Sequence, residues 1–403
     1  MTQVGSQVPD AERPALQIRV ITSMDDVPAE IWDACASQGQ GGPCNPFVTH
    51  AFLSALERSK SAAARTGWQP QHLLVESASG EVVGAAPCYL KSHSRGEYVF
   101  DAGWAEAYER AGGQYYPKLQ VSVPFTPAVG PRLMVKDRSE SEPVRTALTR
   151  GLIELCRLRE ASSAHATFLP QPDANMLSAN GFLRRTDQQF HWNNDGYKTF
   201  NDFLAALVSR KRKLVKRERR EATASDISLH WLTGSEITEG VWDAFFAFYI
   251  DTGSRKWGRP YLTRDFFSMV GESMREQVLL VMAKRAGRWI AGALNFIGDG
   301  TLYGRHWGAL EEHPFLHFEV CYYQALEFAI AHGLKRVEAG AQGEHKLARG
   351  YLPVTTHSAH YISHPGLRKA VRDYLEHERA YVAAAGEELA RAAPYRHDLI
   401  EQE

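Results

Sequence analysis

Reactive side chains crowd into one short stretch, EAGAQGEHKLARGY, which begins at Glu338 and holds Glu338, Gln342, Glu344, His345, Lys346 and Arg349. Carboxylates and an imidazole take or give a proton. A lysine and an arginine hold developing negative charge or a phosphate. The small residues Ala339, Gly340, Ala341 and Gly343 leave the backbone open to a ligand. A solvated helix start would also tolerate Glu344 early, with Lys346 and Arg349 beyond it. An earlier part of the chain separates the two readings. FLPQPDANMLSANGF from Phe168 leads into GFLRRTDQQFHW, just as the reactive stretch leads into GYLPVTTHSAHY, yet it has no such density of titratable groups. A turn needed only for folding would not differ so much between the two places.

A second group is Arg305-His306-Trp307, at the predicted end of a strand, with His313, His317 and Glu319 close behind. Strand ends that face a loop are where α/β sheets hold ligands. His306 and Trp307 alternate faces, so only one points at the core. His313 and His317 are four residues apart, but Pro314 disfavours helix there and no third ligand has a fixed spacing, so no metal site is expected. There is no nucleophile elbow, no phosphate-binding Gly-Lys loop and no His-Glu-x-x-His motif.

A third group is cationic. Residues 210–220 read RKRKLVKRERR, within a helical pattern over 200–222 whose apolar positions include Phe203, Leu204, Leu207 and Val215. Arg210, Lys213, Arg217 and Arg220 share one face. Cations suit the C-terminal end of a helix dipole, but so many in one span point to a polyanion: a nucleotide cofactor, a phosphorylated lipid or sugar, or transfer RNA.

The elements that position these groups occur twice. FVTHAFLS from Phe47 returns as YLTRDFFS from Tyr261, LLVESASGEVVGAA from Leu73 returns as LLVMAKRAGRWIAGAL from Leu279, and GFLRRTDQQFHW returns as GYLPVTTHSAHY. In the last pair His191 and His360 occupy matching positions, which favours a structural role for both. Each copy reads as strand, two helices, an antiparallel meander, a helix, a strand and a final hairpin, so the fold class is α/β with a mixed, mostly antiparallel sheet. The boundaries are a disordered start over 1–15, a first domain over 16–195, a second over 196–365 entered through the basic helix, and a C-terminal helix and tail over 366–403 that packs back or forms a homo-oligomer contact. Copy one carries an insertion around 94–130 with Trp104, Tyr108, Tyr115, Tyr116, Lys118 and Phe125, and Arg132 just beyond. It reads either as a lid or substrate wall, or as a loop held together by its own aromatics.

The chain has 403 residues, 44% hydrophobic and 23% charged, with a net charge of −1. That is a globular composition, and it argues against DNA or an anionic membrane as the main partner. Five cysteines without Cys-x-x-Cys spacing suggest a reducing compartment, and no apolar run reaches membrane-spanning length, so the expected location is cytoplasmic.

The double copy, with GRHWG, HFEVCYYQALEFAIAHGL and EAGAQGEHKLARGY, resembles the FemAB-like N-acyltransferases of the GNAT superfamily over about 30–365. The resemblance implies two tandem GNAT-like domains and transfer of an acyl group to an amine. It has neither the coiled-coil arm of the peptidoglycan aminoacyl transferases nor the pyrophosphate loop of typical GNAT enzymes. The donor therefore stays open between acyl-CoA, a carrier and aminoacyl-tRNA, each a co-substrate and none a tightly bound cofactor. The acceptor would be a small-molecule or cell-wall-precursor amine. On this reading Glu344 or His345 is the general base, with Glu338 and Glu319 in reserve. Arg305, Lys346 and Arg349 hold donor phosphates or an acidic acceptor, beside His306, Trp307 and Gln342. Trp104, Tyr115, Tyr116, Lys118 and Arg132 form the substrate wall, and Lys213, Arg217 and Arg220 contact the donor. A non-catalytic module that binds a phosphorylated ligand is the alternative from another class.

Overall fold

Local signals set the elements of each copy. In the computed structural model, which describes residues 16–38, 45–137, 139, 141–256, 260–340 and 343–396, copy one opens with β1 (Gln17–Ile21), α1 (Ala29–Ala36) and α2 (His50–Arg58). Thr49 caps α2, its hydroxyl oxygen accepting from the Phe52 N–H at 3.4 Å. Four strands follow: β2 (Trp68–Pro70), β3 (His72–Glu76), β4 (Val82–Ala86) and β5 (Cys88–Lys91). Proline has no N–H for a ladder, and Pro87 divides β4 from β5. β4 pairs with β3, and β5 pairs with β2, so the sheet of copy one splits at that residue.

The rest of copy one is α3 (Ala102–Arg110), β6 (Lys118–Val121), β7 (Met134–Val135), α4 (Ser141–Leu158), β8 (Ser163–Leu169), α5 (Gln171–Ala179) and β9 (Leu183–Asn193). The 94–130 insertion thus contains a helix and a strand as well as loop. The predicted helix over 200–222 is two helices, α6 (Phe200–Ala206) and α7 (Ser209–Ala222). It breaks where Leu207 forms an isolated bridge to Tyr395.

Copy two runs β10 (Ile227–Thr233), α8 (Glu239–Lys256), α9 (Arg264–Ser273), β11 (Val278–Arg285), β12 (Arg288–Gly298) and β13 (Thr301–Ala309). Next come α10 (Leu316–Phe318), a π-helical turn (Glu319–Tyr323) and α11 (Gln324–Ala331), which form one helical run. β14 (Arg336–Glu338), a 3₁₀ segment (Glu344–Arg349), β15 (Leu352–Ile362) and α12 (Pro365–Arg391) complete the chain. The matching segments meet each other: Phe52 of α2 and Phe266 of α9 pack edge to face at 5.7 Å.

The sequence suggests a final hairpin in each copy. Instead each copy ends in one long strand that joins the other copy. β1, β3, β4 and β7 form a four-stranded sheet, and the other eleven strands run β10-β11-β12-β13-β14-β9-β15-β8-β6-β5-β2. β9 of copy one therefore lies between β14 and β15 of copy two, and β15 lies between β9 and β8. The exchange is symmetric: Leu352 faces His191, and His360 faces Leu183. Both strands follow a glycine with positive φ, Gly181 at 93° and Gly350 at 95°, a turn that a side chain would strain.

α12 packs along this seam. Leu367, Val371 and Leu375 bury against Trp104, Tyr115 and Ile362. Glu378 accepts a two-pronged pair from Arg185 on β9 at 2.7 and 2.8 Å. Past α12, the Tyr395 hydroxyl donates to Gly350 O at 2.6 Å. The apolar face of α12 is thus used within the chain. Cys35, Cys88, Cys156 and Cys321 form no disulfide among the described residues; Cys44 lies outside the described residues. No described helix is long and apolar enough to cross a membrane.

Candidate active site

Parallel strands β13 and β14 pair only at Thr301–Tyr303 against Arg336–Glu338, then part. β13 continues beside β12, while β14 stops and the chain turns through Ala339 and Gly340. The opening at this carboxyl end is where α/β sheets take ligands. A register shift between Leu294 and Asn295 leaves Arg305 as the extra residue of β13, and such a bulge re-aims its side chain. Arg305 donates to Phe125 O of copy one at 2.5 Å and lies beside the Tyr98 phenol. His306 faces Tyr249 of α8 and Trp307 faces His317, each ring pair 5.2 Å apart, so the two do lie on opposite faces. Burial, with help from Arg305, holds the His306 imidazole down at about 3, so it is neutral.

Glu338 is the last residue of β14 and is 6% exposed. Its Oε2 has no hydrogen-bond partner among the described residues. Burial pushes its carboxyl up to about 7, against the opposing pull of Arg336 and Arg305. A carboxyl poised near neutrality is what general base catalysis uses. Its ladder partner is His191 on β9, whose Nε2 lies 3.8 Å from Oε2.

The chain leaving β14 leads into the 3₁₀ segment, which packs against β9, β15 and α7. Lys346 is buried, donates to Gly340 O at 3.2 Å, and is lowered to about 8 by burial. The His345 ring lies against Phe318 and Tyr322, and its Nε2 is 3.0 Å from the Tyr322 hydroxyl. Partial burial, then Arg349 and Lys346, hold it below the usual imidazole range. Its position depends on Gly343, where a Cβ would meet the ring at 2.6 Å. Glu344 is exposed to solvent, and Gln342 lies outside the described residues. A general base contributes about 100-fold or more. An exposed carboxylate outside the opening is not in that position, so Glu344→Ala is expected to leave steady-state turnover within about threefold of wild type.

Two expected site residues are committed elsewhere. Arg349 forms a buried two-pronged pair with Glu218 of α7, at 2.8 and 3.1 Å, also donates to His345 O at 2.7 Å, and lies 3.5 Å over the Phe318 ring. Glu319 accepts from both Arg219 of α7, at 2.9 and 3.1 Å, and Gln324, at 2.7 Å. The first pair binds α7 to the 3₁₀ segment and the second binds it to the helical run over 316–331, so their charges are not free for a substrate. Arg210, Lys213, Arg217 and Arg220 on the other face of α7 are exposed, with Arg217 5.8 Å over Phe315. His313 and His317 are separately engaged, with Glu311 and Trp307.

The expected substrate wall is displaced. Trp104 and Tyr115 are buried under α12, Tyr116 is half-buried with its hydroxyl 2.8 Å from Ser94 Oγ, and Lys118 is fully buried among Glu97, Asp101 and Ser94. Arg132 is 1% exposed and donates to the carbonyls of Ala128, Pro131 and Thr167. These side chains hold the insertion together and do not line the opening. The copy-one residues that reach the opening are Tyr98 and Phe125, through Arg305, and Gln189 and His191 on β9. Phe125 is among the insertion aromatics named from the sequence, whereas pairing His191 with His360 as repeat equivalents hid His191, because strand exchange is invisible to a local pattern.

A family model described as FemAB-like, peptidoglycan biosynthesis/recognition, matches residues 23–397. No curated protein matches the sequence. FemX is similar in structure at 13% identity, with a TM-score of 0.54 over 86% of this chain and 98% of that chain. A conserved protein of unknown function from Bacteroides thetaiotaomicron is similar at 10% identity and a TM-score of 0.51, over 86% and 100%. A tandem GNAT protein from the clavulanic acid biosynthesis pathway is similar at 16% identity and 0.47, over 87% and 99%. With a mixed α/β fold built from two copies of one unit and a family model that matches nearly its full length, the chain belongs to the FemAB-like family.

Proposed function

We propose that the protein is a transferase that moves an acyl group from an activated donor to an amine, with Glu338 as the general base. The buried Glu338 carboxyl, with no hydrogen-bond partner at Oε2 among the described residues and held near neutrality where β13 and β14 part, carries this reading. Acyl transfer to an amine needs the amine freed of a proton and the carbonyl oxygen stabilised as it gains charge. Glu338 takes that proton as the C–N bond forms and returns it to the thiolate or alkoxide that leaves when the donor's acyl bond breaks. Arg305 supplies positive charge beside it, and Lys346, which acts on the neighbouring His191, adds a second cation to the site. The family's description supports a peptidoglycan-related amine acceptor.

The donor class is tested by thermal stabilisation of the full chain with CoA, acetyl-CoA, longer acyl-CoAs and uncharged transfer RNA, since a ligand bound only by the folded state raises Tm. Failure of every acyl-CoA and of transfer RNA to raise Tm would count against both donor classes and leave a carrier-bound acyl group.

An aminoacyl-tRNA donor is the second reading, favoured by the exposed basic face of α7. If RNA is the donor, Arg217→Glu with Arg220→Glu weakens its binding and lowers the slope of log affinity against log salt by about two, one for each lost phosphate contact. A fluorescence titration at several salt concentrations reads this. An unchanged slope removes this face from the donor site.

A further inference from the structure

The exchanged strand brings a second ionisable group to Glu338. β9 belongs to copy one in sequence, yet it sets His191 directly across the ladder from Glu338. The Gln189 amide nitrogen donates to Pro127 O at 2.8 Å, which leaves its Oε1 as an acceptor. That oxygen lies 3.2 Å from His191 Nε2, so Nε2 carries the imidazole proton. The same Nε2 is 3.8 Å from Glu338 Oε2, which has no hydrogen-bond partner among the described residues. All three side chains are buried. One N–H thus sits between two acceptors, a neutral amide that holds it now and a carboxyl that draws it once ionised.

We propose that His191 is a positioning residue that shifts its Nε2 hydrogen bond from Gln189 to Glu338 when Glu338 loses its proton, and so sets the pH at which Glu338 acts. The inference rests on Glu338 as the base. The other groups that act on Glu338 are fixed contributors, Arg336 on β14 at 3.9 Å and Arg305 and Tyr303 on β13, while Lys346 on the 3₁₀ segment acts on His191. Burial, with Arg336 and Lys346, keeps the imidazole neutral at about 3. It therefore gives a hydrogen bond and no charge.

The test reads Glu338 without any assay of turnover. The pH dependence of the difference in Tm between a chain with Glu338 and the same chain with Glu338→Gln reports the midpoint of the carboxyl. In a His191→Ala background that midpoint should rise by about one unit, a tenfold change in proton affinity, because a donor to the charged form is gone. His191→Gln, which keeps an N–H donor, should return most of it. Gln189→Leu removes the competing acceptor and should move the midpoint the other way. An unmoved midpoint in His191→Ala, or in Gln189→Leu if the alanine variant does not fold, would overturn the role of His191. Full turnover in Glu338→Gln would instead overturn the base assignment, so the two failures are told apart.

Discussion

Glu338→Gln is expected to lower turnover by about 100-fold or more while leaving the fold intact, because the amide keeps the size of the side chain and loses the base. In the wild type the active form is the ionised carboxylate, so turnover should climb as pH passes about 7, the value to which burial raises this group. The variant should lose that limb. Stability should move the opposite way. A carboxyl raised from 4.5 to about 7 in the folded state favours folding only in its protonated form. Its contribution is complete below the unfolded value and is lost as pH rises through about 7. Above that pH the permanently neutral glutamine should make the variant more stable than the wild type, by up to about 3 kcal/mol. A less active but more stable variant at high pH is hard to explain by misfolding. Activity within about threefold of wild type would remove Glu338 as the base and return that role to His345.

Arg349→Ala is expected to cost about 3–5 kcal/mol of stability, because it leaves Glu218 buried without its cation. Glu218 is 3% exposed, and its other side-chain partner is the Tyr323 hydroxyl, which cannot neutralise it. The loss should appear in urea denaturation as a lower midpoint with an unchanged slope. Adding Glu218→Gln should return part of it, since the stranded charge is removed. If Arg349 instead held donor phosphates, the alanine variant would keep its midpoint and raise KM.

Much was legible in the chain itself. The segments around Phe52 and Phe266 declared two copies, and helix and strand periods set most elements, because both signals are local: a cap such as Thr49 or a turn such as Gly350 acts within a few residues. The asymmetry between the two copies also marked 338–350 as the reactive stretch.

Burial and non-local pairing were decided elsewhere. Glu344 and Glu338 are both glutamates in one segment, but only folding puts one in solvent and buries the other at the end of β14, and the cost of desolvation then separates their chemistry. Trp104 and Tyr115 look like a ligand wall until α12 covers them. His191 looks structural until β9 crosses to copy two and faces Glu338. The sequence by itself determined the repeat, its elements and the residues that can do chemistry. The tertiary structure alone decided which of them meet, because strand exchange and the loss of water depend on contacts between residues far apart in the chain.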